Sequence, residues 1–124
     1  MNALMISTNP QKFESKASIT AYNQAGFMVD LVSSSGEALN KTKNKKYNLL
    51  IIERSSKEDL SDIILFTVMQ AIAQNNPDAK VISQGWKSTG LHFYIIRDYS
   101  ADEHEQWVEF LSNIYNDLNK YGLN

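Results

Sequence analysis

Apolar residues along this chain fall into short solid clusters separated by longer periodic stretches. Ala3 to Ile6 is an apolar run too short for a helix, which predicts a buried strand. Asn9 and Pro10 follow as an N-cap and a first-turn proline, the signature of a helix start. Phe13, Ala17, Ala21 and Ala25 recur every four residues and mark the inward stripe of that helix, and Gly26 ends it as a C′ residue. Phe27 to Val32 predicts a second strand. Ser35-Gly36-Glu37-Ala38-Leu39 opens a second helix that runs into Lys41, Lys43, Lys45 and Lys46.

Leu49, Leu50, Ile51 and Ile52 are adjacent and apolar with no alternation, the pattern of a strand buried on both faces in a parallel sheet. Leu60, Ile63, Ile64, Thr67, Val68, Ala71 and Ile72 then recur at helical spacing, and Asn75, Asn76 and Pro77 end that third helix. Val81 and Ile82 mark a fourth strand and Phe93 to Ile96 a fifth. Ser100-Ala101-Asp102-Glu103 reads as a capping box for a last helix whose inward face is Trp107, Phe110, Leu111, Ile114 and Leu118, with Gly122 just past its end. The order β-α-β-α-β-α-β-β-α predicts one domain over residues 1–124, built on a mostly parallel sheet with helices on both faces. Only Gly85 to Gly90 separates the fourth strand from the fifth, too little for a crossover helix. Either that loop crosses the sheet extended, or the last strand turns back antiparallel.

Composition narrows the function classes. Hydrophobic residues make up 43% of the 124 and charged residues 21%, as in a folded globule. There is no cysteine, which excludes disulfides, thiolate metal sites and a cysteine nucleophile, and fits a cytoplasmic protein. No apolar run reaches the length of a membrane span, and the N-terminus has no signal-peptide pattern. A net charge of −2 offers no basic excess for nucleic acid.

Four segments in order resemble the receiver domain of response regulators, the CheY-like branch of the flavodoxin-like folds. These are Ala25-Gly26-Phe27-Met28-Val29, Gly36-Glu37-Ala38-Leu39, Tyr47-Asn48-Leu49-Leu50-Ile51-Ile52 and Tyr94-Ile95-Ile96-Arg97-Asp98-Tyr99. The resemblance implies a five-stranded three-layer αβα sandwich with its fourth crossover helix missing or reduced to a loop. It also implies a place in bacterial two-component signalling. In that family two acidic residues after the first strand hold Mg²⁺, and Ser7 and Thr8 stand in their places. Hydroxyls without carboxylates make a poor site for a hard dication. Glu53 takes the position of the phospho-accepting aspartate, Gly85 or Ser83 that of the hydroxyl residue after the fourth strand, and Arg97 that of the lysine on the fifth. Asp98 replaces the following proline. Only the positive charge survives, so the resemblance implies a degenerate pseudo-receiver without phosphotransfer. Glu53 and Arg97 are expected at the same C-terminal edge of the sheet, where they either pair bidentately or stand as two solvated charges at the strand ends.

Other chemistry is thinly supported. His92 and His104 are twelve residues apart and read as structural, so no metal is expected. Ser7-Thr8-Asn9 lacks the glycines of a phosphate loop, so no flavin or nucleotide cofactor is expected. The lysines at 41–46 satisfy a helix end. Leu65, Phe66 and Met69 widen the inward stripe of the third helix, and either Trp86 covers them or a second protein does. The expected function is therefore a stand-alone receiver-like domain acting through a protein partner or homodimer. The alternatives are an unconventional receiver switched by phosphorylation or a small ligand at the strand ends, and a small enzyme on the same scaffold.

Overall fold

A computed structural model of the chain describes residues 1–7, 13–53, 71–72, 74–76, 78–84, 95–96 and 101–120; at 13–15, 35, 83–84, 95–96 and 101 only the backbone is described. Its strands are β1 (Asn2–Ser7), β2 (Met28–Val32), β3 (Leu49–Glu53), β4 (Lys80–Gln84) and β5 (Ile95–Ile96). Its helices are α1 (Phe13–Gln24), α2 (Ser35–Asn44) and α3 (His104–Lys120), the last preceded by a 3-10 turn at Ala101–Glu103. The strands form one sheet in the order β2-β1-β3-β4-β5, and every pairing is parallel. The chain reverses direction across the sheet between β1 and β3, which sets the topological switch point at their carboxyl ends.

Side-chain alternation divides the core in two. Ala3, Met5, Leu49, Ile51 and Ile82 point to one face, where Ala21 and Tyr22 of α1 and Trp107, Leu111, Ile114 and Leu118 of α3 cover them. This half is aromatic: Tyr22 meets Phe27 and Trp107 edge-on, with ring centroids 6.5 and 6.4 Å apart. Leu4, Ile6, Val32, Leu50, Ile52 and Val81 point to the other face, against Ala38 of α2, Tyr47 and Ile72. All of Leu49, Leu50, Ile51 and Ile52 are fully buried, as an unalternating apolar strand requires.

Several sequence expectations shift. The last strand is parallel, which removes the antiparallel alternative; residues 85–94, and with them the question of the fourth crossover, lie outside the described residues. Among the described side chains of α1 the buried ones are Ser18, Ala21 and Tyr22. Ala21 is inward as expected, while Ala17 and Ala25 are only half-buried, because the large ring of Tyr22 and not the alanine row sets the packing. The Phe13 side chain lies outside the described residues. Gly26 ends α1 as expected, with φ of +107°, and a Cβ there would lie 2.9 Å from Tyr115 of α3. Phe27 is buried ahead of β2, which starts at Met28. α2 opens at Ser35 as expected, and Ser34 caps it: its Oγ accepts from the Glu37 N–H while the Glu37 carboxylate accepts from the Ser33 N–H. Lys45 caps the other end of α2, so Lys46 lies beyond it. Ala71 is exposed and not inward, while Ile72 is buried. The buried Asn76 side chain donates to the Ile72 carbonyl and accepts from the Tyr47 N–H. α3 starts at His104, after the 3-10 turn, and Phe110 is only half-buried, tilted against Trp107. The Asn9-Pro10 start and residues 60–70 lie outside the described residues.

Candidate functional site

The carboxyl ends of β1 and β3 are adjacent because the two strands pair in register from Ala3↔Leu49 to Ser7↔Glu53. Ser7 shares its face with Ala3 and Met5, and Glu53 shares its face with Leu49 and Ile51. Both side chains therefore turn toward α1. Ser7 is fully buried and Glu53 is 6% exposed. The Ser7 Oγ donates to Glu53 Oε1 at 3.2 Å. Tyr22 of α1 lies within the field of that carboxylate. Its burial, and then the negative charge of Glu53, push the phenol pKa well above its ordinary value.

This geometry joins two of the sequence-derived positions into one buried polar contact. A carboxylate so placed is drawn under α1 and held by a hydroxyl. It is buried and does not stand open at the rim. Ser83 lies on β4 next to Ile52 of β3, with its backbone alone described. Thr8, Gly85, Arg97, Leu65, Phe66, Met69, Trp86 and His92 lie outside the described residues. His104 Nε2 lies 2.8 Å from Gln24 Oε1, a link between α3 and α1. Among the described residues no three His, Asp or Glu side chains gather as metal ligands, and no helix is long and apolar enough to cross a membrane.

A second polar cluster had only one signal in the sequence, the lone charge in Met28-Val29-Asp30-Leu31-Val32. Asp30 accepts from Tyr47 Oη at 2.6 Å and from Lys45 Nζ at 2.9 Å. Those two bonds, Tyr47 first, hold the Asp30 pKa below its ordinary value. The cluster borders an open groove of about 700 Å³ between β2 and α2, lined by Asp30, Leu31, Val32, Glu37, Asn40, Lys41, Asn44 and Lys45.

No protein-family model matches the chain, and no curated protein matches it. Solved structures do. A response regulator receiver protein from Sinorhizobium medicae WSM419 superposes with a TM-score of 0.65 at 15% identity, covering 91% of this chain and 94% of its own. The response regulator TrrA from Thermotoga maritima, solved with Mg²⁺ and BeF, gives a TM-score of 0.60 at 21% identity, covering 89% and 97%. The RPS4 and RRS1 TIR domain heterodimer gives 0.63 at 16%, covering 94% and 97%. At these identities the likeness is one of fold. The chain has the flavodoxin-like, receiver-like fold, and the TIR match shows that the fold alone does not choose a function.

Proposed function

We propose that this receiver-like chain is a signalling domain that works by binding a protein partner, without phosphotransfer. The observation that carries this reading is the buried Ser7–Glu53 contact at the switch point. Where a phosphorylatable receiver needs carboxylates to hold Mg²⁺ beside an acceptor aspartate, β1 ends here in a hydroxyl that is hydrogen-bonded to a glutamate. Glu53 is buried and has a hydroxyl donor in place from Ser7, so the site resembles a fixed state more than a switch. The sequence pattern of Leu65, Phe66 and Met69, with Trp86, marks a candidate contact surface for this reading. Phe66→Glu is then expected to abolish any self-association seen by sedimentation.

Incubation of the full chain with Mg²⁺ and acetyl phosphate, followed by intact mass, tests the reading. The expected result is an unchanged mass. A gain of about 80 Da, one phosphoryl group, mapped to Glu53 overturns it.

A further inference from the structure

We propose that the outer edge of β2 and the α2 wall beside it form a docking slot for an extended partner segment. That segment pairs with β2 as a sixth strand and sets a carboxylate against Lys41. The proposal rests on the reading that the chain acts by binding a protein.

Hydrogen-bond phase opens the edge. The Met28 N–H bonds inward to the Met1 carbonyl at 2.7 Å. In a parallel ladder the phase alternates, so Met28, Asp30 and Val32 bond to β1 while Val29 and Leu31 aim their N–H and C=O groups outward. Among the described residues no strand pairs with that side of β2. Edge strands are commonly guarded by a charge. The one charge on β2, Asp30, is drawn back onto Tyr47 and Lys45. Three large apolar residues are exposed among the described ones, and two of them, Met28 at 64% and Leu31 at 37%, lie on this strand.

The groove beside the edge then selects the occupant. Its floor and one wall are the Asp30–Val32 segment, and its other wall is the α2 row of Glu37, Asn40, Lys41, Asn44 and Lys45. Most of its charges are committed. Asp30 is bonded to Lys45 and Tyr47, and Glu37 accepts from Ser33. Lys41 has no hydrogen bond or ion pair among the described residues, and neither do the side-chain amides of Asn40 and Asn44. One ammonium and two amides remain to meet a ligand, a set that suits a carboxylate. Strand addition supplies main-chain bonds, and alternate side chains supply selectivity. A second copy fits less well. A two-fold pairing of β2 with itself puts both α2 helices on one side of the joined sheet, with the lysines of 41–46 facing their like.

Amide ¹H–¹⁵N spectra of the full chain, titrated with designed peptides, test the slot. The probe is an acetylated, amidated heptapeptide of alternating valine and threonine with a central glutamate. Companions carry lysine at the centre, or backbone N-methyl groups on alternate residues in each of the two phases. Saturable shifts confined to residues 28–32 and 37–45 are expected, with the lysine peptide weaker by about tenfold or more. One N-methylated phase is expected to lose binding and the other to keep it. Lys41→Glu, checked for an otherwise unchanged spectrum, is expected to reverse the glutamate-over-lysine preference. No saturable shift in the slot up to ~5 mM peptide overturns the proposal, as do equal binding of both centres or indifference to either N-methylation. Phosphorylation of Glu53 alongside normal peptide binding would remove the functional reading and leave the slot standing.

Discussion

Glu53 and Asp30 are both carboxylates pulled in from the sheet, and they are held in opposite ways. Glu53 ends a central strand, is 6% exposed, and takes a hydroxyl hydrogen bond from Ser7 under the cover of α1. Asp30 sits on the edge strand with a side chain 27% exposed, and takes a phenol and an ammonium. At the centre water has little access, so each lost donor strands an acceptor in a low-dielectric place. At the edge water replaces what a mutation removes, and salt screens what remains. The same chemical group thus reports on packing in one place and on surface electrostatics in the other.

The largest test of that contrast lies under Glu53. Tyr22 is fully buried and bridges Phe27 to Trp107 in the aromatic half of the core. Tyr22→Ala is expected to lower stability by about 3–5 kcal/mol, measured by urea unfolding. A loss below about 1 kcal/mol would show that this half of the core is loosely packed.

Next in size is the hydroxyl itself. Ser7→Ala removes a donor from a buried carboxylate and is expected to cost about 1–3 kcal/mol, with little dependence on salt. A cost that fades in high salt would place Glu53 at the surface and break the comparison. Glu53→Gln and Arg97→Gln, combined in a double-mutant cycle, sharpen it further. Non-additivity above about 0.5 kcal/mol is expected if the two charges meet, and additivity separates them.

The sheet and its central strands were legible because buried parallel strands are written as solid apolar runs. Leu49 to Ile52 admits no other reading, and Gly26 names its own helix end. The α1 stripe was not legible by counting alanines, because volume decides which residue fills a core. Tyr22 outweighs Ala17 and Ala25 there. Ser7 and Glu53 were legible as the ends of two strands, but neither their contact nor its burial was, since the parity that turns both side chains under α1 appears only with the register. Asp30 carried a signal that went unread: a charge within an apolar strand needs a partner, and Lys45 and Tyr47 lie only fifteen and seventeen residues on. The groove they border has no linear motif, because its lining is drawn from two separate elements, β2 and α2.

At the edge the effects shrink. Lys45→Met removes an ammonium 2.9 Å from Asp30 but leaves the Tyr47 bond and solvent in place. A loss of about 0.2–1 kcal/mol is expected at low salt, shrinking toward zero near 1 M. A loss as large as that of Ser7→Ala, and insensitive to salt, would make the edge as closed as the centre.

The smallest effect is one of slope with pH. Tyr47 and then Lys45 hold the folded-state pKa of Asp30 below its ordinary value of 3.8, against a smaller upward push from burial. A depressed carboxylate stabilises the fold fully above its unfolded pKa. As the pH falls below that value the unfolded chain takes up the proton first, and the stabilisation drains away until the folded pKa is passed. Asp30→Asn has no proton to exchange. Its stability is therefore expected to be lower than that of the parent at neutral pH and to converge on it in acid, the gap closing below about pH 4. Subtracting the two urea-derived curves isolates this one proton from the other titrating carboxylates. Parallel curves would mean that Asp30 is no better held in the fold than in the open chain, and that the charge on the β2 edge is free to guard it.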